Sequence, residues 1–543
     1  MNVRFLFLSV LFASLFIYQQ QAHAYLDPSS GSVLIQIILG GVAGFFVLLK
    51  IYWRRIRRAL DCTKKTAILR TCPMNEGLFH HEPGSFRDRN NQVYLVDGRI
   101  VRGISSTARA HWEALKESSF YKKHSAAGRI VATREIAPDN LPSPFTEEQL
   151  WDCYLEHDRL PFISYVYEWC FGMLKDAALL HLDLMEGALR EGLILKDASV
   201  FNIQFSGARE VFIDLPSFER YEAGMPWVGF RQFCQHFLYP LMLQSYKDIS
   251  FKNWFKGNVD GITPKECNNI LSFRDKFRKG VFSLVYLQSK LVDSMGNAKR
   301  SIVSEAQDSD FGKEIILANV KKLRKIICGL EWKPARSEWS DYTKTHSYDD
   351  TCFEQKCRFV SEAVAEKPLK LAWDIGCNTG HFSRILAKNS AYVVALDIDE
   401  LSVQRLYESL RQEGTDNIHP LVFDLTNPSP PLGWRCRERH ALEQRGAPEL
   451  VLCLALVHHL VITGNVPLRE VIEWLASFRC AIVIEMLTKE DDMVRKLLLN
   501  RVDQYPEFTI DGFESLAAPY FTVKKKEEVM AGKRFLYHLL PRE

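Results

Sequence analysis

The C-terminal third of this 543-residue chain is expected to be α/β, a mostly parallel sheet with helices on both faces. Two observations predict it. The run Leu371–Ser383, LAWDIGCNTGHFS, is an apolar strand that breaks into an acidic, glycine-punctuated turn and resumes as a helix. Downstream, apolar strands end at Asp397, at Asp424, at the pair His458 and His459, and near Glu485. They alternate with helix-length segments such as 400–413 and 467–477. Strand–helix alternation of this kind folds as right-handed parallel crossovers.

The first turn carries the chemistry. Gly376 and Gly380 flank Asn378, so the backbone can take positive φ and approach a ligand without Cβ obstruction. A loop of this kind at the carboxyl end of a parallel strand makes a nucleotide pocket. A dinucleotide loop would read GxGxxG and shelter a pyrophosphate. The order here, Asp374-Ile-Gly-Cys-Asn-Thr-Gly380, suits an adenosine with a charged amino-acid tail better than a diphosphate. A tight βα turn without a ligand is the alternative for the loop alone. The next strands favour a ligand. Asp397, seventeen positions beyond Gly380 and followed by Ile398, stands where a carboxylate meets two ribose hydroxyls, and Asp424, followed by Leu425, is placed to accept from an adenine amine.

The loop resembles that of class I S-adenosylmethionine (SAM) dependent methyltransferases. The resemblance implies a Rossmann-like, seven-stranded, mostly parallel sheet with SAM as cofactor, and YFTVKKKEEV with KRFLYHLL resembles that fold's final antiparallel hairpin. A narrower resemblance follows from WDIGCNTGHFSR, LALVHHLVITGNVPL, KDASVFNIQF, VFIDLPSFERY and PWVGFRQFCQHFLYPL. These are similar to a bacterial family of large SAM methyltransferases that includes host-specific nodulation proteins, over roughly residues 75–543. The family implies no defined acceptor. Position by position it places the SAM loop on Asp374, Gly376, Asn378 and Gly380 and the ribose carboxylate on Asp397. Many relatives in the superfamily have Gly where Asn378 stands, and Asn also tolerates left-handed backbone.

Methyl transfer from a sulfonium needs mainly alignment and exclusion of water, and a base helps only for a hydroxyl or protonated amine. His458 and His459, just past the fourth strand, are base candidates, with scaffolding as their alternative role. Glu485 is a candidate for an acceptor amine or hydroxyl, or else for a structural ion pair. Cys377 lies in the cofactor loop as a small lining residue rather than a nucleophile.

Residues 1–24 read as a signal peptide or first membrane segment: Phe5–Tyr18 is apolar, Arg4 precedes it, and Ala22-His23-Ala24 is a cleavage-like pattern. Residues 25–60 hold a second apolar run, Val33–Leu49, followed by Lys50, Arg54, Arg55, Arg57 and Arg58. That predicts a single-pass transmembrane helix in a bacterial inner membrane with the catalytic domains cytoplasmic. Thirteen cysteines without a CxxC pair argue against a disulfide or zinc framework and for a reducing compartment. A net charge of +3 gives no electrostatic case for nucleic acid. The expected acceptor is a small molecule, a glycan or a lipid-linked intermediate.

Residues 61–290 form a second, α+β unit. Asp197 and Asn202 stand five apart, and Asp214 ends an apolar strand twelve further on, a spacing that resembles the catalytic Asp and metal ligands of kinase-like phosphotransferases. There is no Gly-rich phosphate loop. The hairpin QVYLVDGRIVRGIS offers Arg99 and Arg102 in place of a strand lysine, so an active kinase, a degenerate one and an unrelated helical domain all remain open. Residues 291–350 read as a linker and lid, with Trp339, Tyr342 and Tyr348 as lid candidates, before a methyltransferase domain over 351–543.

Overall fold

A computed structural model describes residues 79–148, 150–295, 312–334, 350–499 and 502–542. The expected signal and transmembrane segments, and Trp339, Tyr342 and Tyr348, lie outside the described residues. Among those described, no helix is long and apolar enough to cross a membrane.

The N-terminal unit opens with a five-stranded antiparallel sheet built from β1 (Phe79–His81), β2 (Asn91–Val96), β3 (Arg99–Ile104), β4 (Thr133–Ile136) and β5 (Cys153–His157), in the order β1-β2-β3-β5-β4. The QVYLVDGRIVRGIS segment is indeed a hairpin. Asp97 and Gly98 take positive φ in its two-residue turn, the geometry that matches strand twist. The helix Phe171–Arg190 follows as the core helix of this unit, burying twelve of its residues on one broad face and carrying Lys175, Asp176, Asp183 and Glu186 on the other. Two small antiparallel pairs come next: β6 (Leu193–Leu195) pairs with β9 (Phe218–Arg220), and between them β7 (Ile203–Ser206) forms a hairpin with β8 (Arg209–Phe212).

The segment expected to be a linker holds a helix, Lys313–Cys328, that buries Ile316, Val320, Leu323 and Ile327. Its apolar residues recur at i, i+4, i+7 and i+11, one stripe of a helix, with Asn319, Lys321 and Lys322 interspersed. Arg324 at its outer face pairs with Asp183 of the core helix.

The C-terminal unit is a seven-stranded sheet of β10 (Leu369–Ile375), β11 (Ser390–Asp397), β12 (Ile418–Val422), β13 (Leu450–Cys453), β14 (Ala481–Leu487), β15 (Phe521–Met530) and β16 (Arg534–Pro541). Its order is β12-β11-β10-β13-β14-β16-β15. All pairings are parallel except those of β16, which is antiparallel to both β14 and β15. The predicted parallel core and final hairpin are therefore present. The order reverses between β10 and β13, and that switch opens a crevice at the carboxyl ends of the strands.

The two units share one continuous hydrophobic core. The N-terminal unit covers the sheet near the amino ends of β11 and β12: the Gly207 amide donates to the Tyr392 hydroxyl at 2.8 Å, and His419 Nδ1 lies 2.9 Å from the Gly207 carbonyl. Gly207 sits at φ 59°, and a Cβ there would lie 2.2 Å from the Asp416 carbonyl oxygen, so the junction requires glycine. Arg445 and Glu168 close the interface with a buried ion pair at 2.6 Å. This docking shields β12, an edge strand that would otherwise be open to pairing.

Candidate active site

The crevice is a cavity of about 590 Å³. It lies in the size range of small-molecule sites. β10 delivers Asp374 to its floor, 2% exposed and accepting from the Ser383 hydroxyl at 2.6 Å. The chain then turns through Gly376 at φ 82° and Asn378 at φ 49° before the helix His381–Ala387, which Gly380 caps at φ 78°. A Cβ on Gly380 would lie 2.5 Å from Leu406 Cδ1, so this glycine is required by packing as well as by conformation. Asn378 does what the sequence asked of it, taking left-handed backbone. Its amide donates to Asp397 Oδ2 at 2.7 Å, which ties the loop to the end of β11.

Asp397 also accepts from the Asp399 amide at 2.8 Å. Burial pushes its carboxyl up to about 6, and burial does the same to Asp374, with repulsion from Asp397 adding to it. Two carboxyls poised near neutrality on one wall are a mark of a functional site. Ile398 stands beside them, exposed at the rim. Asp424 and Leu425 line the wall, but they lie beyond β12 rather than within it. Asp424 Oδ1 accepts from the Thr426 amide at 2.9 Å and its hydroxyl at 2.7 Å, a local turn. Cys377 is buried in the lining with its thiol pushed well above the ordinary value by burial, consistent with a lining role and not with a nucleophile.

The methyl-transfer side differs more from expectation. Only one of the two histidines faces the cavity. His459 lines it and is held neutral by burial, with its pKa lowered to about 4. His458 is 1% exposed behind it, the rings 4.1 Å apart, and does not reach the cavity, so it cannot serve as the base. The i, i+1 spacing explains the split, since neighbours on a helical turn point about 100° apart. Glu485 likewise does not reach the cavity. It is fully buried, paired with Lys356 at 2.6 Å and Arg534 at 3.6 Å, and Asp491 joins Arg534 at 2.6 Å. Of the two roles open to Glu485, the structure supports the ion pair.

Residues that sequence reasoning missed complete the wall. Lys356, Phe353, His381 and Phe382 come from the helix Asp350–Ala365 and from the start of the helix after the loop. Phe353 packs 4.8 Å from the His381 ring and 6.0 Å from Phe382, and Lys356 Nζ lies 5.0 Å over the Phe382 ring. Ala455, at the end of β13, is a non-glycine residue at φ 50° in the lining, and a π-turn over His459–Thr463 follows. Strained backbone and π-turns of this sort concentrate at functional sites.

Over 456 residues the chain is 34% identical to the nodulation protein NoeA of Rhizobium meliloti (strain 1021), covering 84% of this chain and 94% of that protein. The chain belongs to the family of that nodulation protein. No family model matches it. Among solved structures it is similar to the N-methyltransferase NodS of Bradyrhizobium japonicum WM9, at 12% identity over 36% of this chain and 99% of that one with a TM-score of 0.27. It is also similar to the bifunctional kinase-methyltransferase WbdD, at 14% identity over 37% and 41% with a TM-score of 0.27.

The second cluster that the sequence singled out lies in the N-terminal unit of this family member, and the structure brings its members together. Asn202 Nδ2 donates to Asp197 Oδ1 at 2.6 Å, and the Ser217 hydroxyl lies 2.8 Å from both Asp197 Oδ1 and Asp214 Oδ2. Arg102, on β3, crosses the cluster to Asp214 at 2.7 Å, and it also donates to Asn91 at 2.7 Å and to His157 at 3.2 Å. Burial, then repulsion from Asp214, raises Asp197 to about 6. Among the described residues, no group of three or more His, Cys, Asp or Glu side chains is arranged to hold a metal ion.

Proposed function

We propose that this family member is a SAM-dependent methyltransferase whose cofactor binds in the crevice at the carboxyl ends of β10, β11 and β12. The observation that carries this reading is the Asn378–Asp397 tie. It fixes a left-handed glycine loop and a strand-end carboxylate on one wall of a cavity of suitable size. Asp397 would accept from the ribose hydroxyls, Gly376 and Asn378 would bring backbone against the amino-acid portion, and Ile398 and Leu425 would sandwich the adenine with Asp424 at its edge. When bound, SAM supplies an electrophilic methyl group on a sulfonium that is already a good leaving group. The protein's own residues align the acceptor and exclude water. His459, neutral in the cavity, accepts a hydrogen bond or proton from the incoming hydroxyl or amine. Phe353, Phe382 and the buried pair Lys356–Glu485 wall off that side.

The acceptor class we favour is a glycan, a lipid-linked saccharide or another small molecule, in keeping with kinship to a nodulation protein. The apolar run Val33–Leu49 with its basic flank supports membrane anchoring with the enzyme on the cytoplasmic face. In this reading the N-terminal unit is a degenerate kinase-like module and not a phosphotransferase, because the Arg102 guanidinium supplies to Asp214 the positive charge a metal ion would bring. Calorimetric titration of the purified chain with SAM, beside Asp397→Ala, tests the main reading. Micromolar binding that the substitution removes is expected; a folded protein that takes up no SAM overturns it.

A further inference from the structure

Three phenylalanines within ten positions of the N-terminal unit face solvent: Phe273, Phe277 and Phe282 are 70%, 80% and 51% exposed. Exposed apolar residues are ordinary when scattered, but here Phe273 caps and Phe277 ends one short helical turn, Arg274–Phe277, and Phe282 opens the next, Phe282–Tyr286. They form a connected surface. Phe273 and Phe277 pack edge to face at 5.6 Å, Phe282 stacks on Tyr286 at 5.5 Å, and Lys276 Nζ bridges the two pairs, 5.5 Å from the Phe273 ring and 4.0 Å from Tyr286.

The surrounding charge is one-sided. Residues 265–290 hold six Lys or Arg and two acids in a chain whose net charge is only +3. Both acids are tied down: Glu266 in a capping box with Thr263, and Asp275, 4% exposed, by Ser272 and Arg278. Arg274, Arg278 and Lys279 remain exposed around the phenylalanines. Aromatic side chains that enter an acyl boundary, ringed by cations that meet anionic headgroups, are the composition of a peripheral membrane-binding face. Stacking the face on a second copy of the chain would set the same cations against one another.

We propose that this face docks on an anionic lipid surface. The contact is separate from the apolar run at Val33–Leu49 and independent of the cofactor reading. Together the two would hold the catalytic unit in a fixed orientation at the bilayer instead of leaving it on a tether.

The test is hydrogen–deuterium exchange of the full-length chain, alone, with phosphatidylcholine vesicles, and with vesicles of equal parts phosphatidylcholine and phosphatidylglycerol. Exchange in residues 271–286 should slow by about tenfold with phosphatidylglycerol only, reverse at high salt, and fail to slow in a Phe273→Ser, Phe277→Ser, Phe282→Ser variant of unchanged melting temperature. Attachment through residues 33–49 alone would leave 271–286 unaffected and overturn the proposal. Protection without vesicles would overturn it too, identifying a second copy if dilution abolishes it and another segment of the same chain if dilution does not.

Discussion

The crevice and the Asp197–Asn202–Asp214 cluster are built from the same material, carboxylates carried on loops at strand ends beside an asparagine, yet they are finished in opposite ways. In the crevice, the Asn378 and Asp399 amides hold Asp397 without a cation, and the carboxylate still lines a cavity. In the N-terminal unit, Asn202, Ser217 and Arg102 satisfy the acids from within the protein. Acidic residues in a motif-like spacing therefore do not by themselves define a ligand site. What matters is whether a neighbouring positive charge comes from the fold and whether the carboxylate still opens on a cavity.

The largest effect that would sharpen this contrast comes from the buried network behind the crevice. Glu485→Ala takes from buried Lys356 its carboxylate and leaves Arg534 with Asp491 alone, and it is expected to destabilise the protein by about 3–5 kcal/mol in urea unfolding. Were Glu485 an acceptor ligand instead, the loss would appear in turnover with little change in stability. Next, Gly207→Ala forces a Cβ into the Asp416 backbone at positive φ and is expected to cost about 1–3 kcal/mol. If the two units share one cooperative core, a single thermal transition should shift. Two separate transitions would break that part of the account.

Arg102→Ala is expected to lower stability by about 1–3 kcal/mol, the cost of leaving Asp214 without its strongest partner. Isothermal titration of this variant with manganese also asks whether the guanidinium stands where a metal would. Manganese binding that appears only in the variant supports the degenerate-kinase reading, and binding by the unaltered protein contradicts it. The smallest effect is on pH. Because burial raises Asp397 to about 6, its carboxylate is the dominant form above that pH and the protonated acid below it. SAM affinity is therefore expected to hold from about pH 8 to 6.5 and to fall, by up to about tenfold per unit, as the pH drops below 6. An affinity that stayed level down to about pH 5 would contradict that role for the carboxylate.

Much of the C-terminal unit was legible in sequence because period and punctuation coincide there. β10, β11 and β12 are apolar runs with a carboxylate at or just past their ends, and Gly376, Asn378 and Gly380 are needed for conformations that few other residues tolerate. The local pattern also carried the hairpin of β2 and β3 and the convergence of Asp197, Asn202 and Asp214. What stayed hidden depends on contacts distant in sequence. Glu485 was open to either an acceptor or an ion pair, and the partner that decides between them, Lys356, lies 129 positions earlier. Lys356 itself sits in a helix with nothing local to mark it. His458 and His459 were indistinguishable as neighbours, and only the path of the turn after β13 decides which one meets the cavity.

The measurement that tests the central claim most directly is a paired titration of the full-length protein, with SAM and with magnesium ATP, followed by calorimetry. The account predicts saturable one-site binding of SAM, absent in Asp397→Ala, and no heat of binding from magnesium ATP. Binding of magnesium ATP that Asp214→Ala abolishes, with no uptake of SAM, would place the working site in the N-terminal unit and contradict the account.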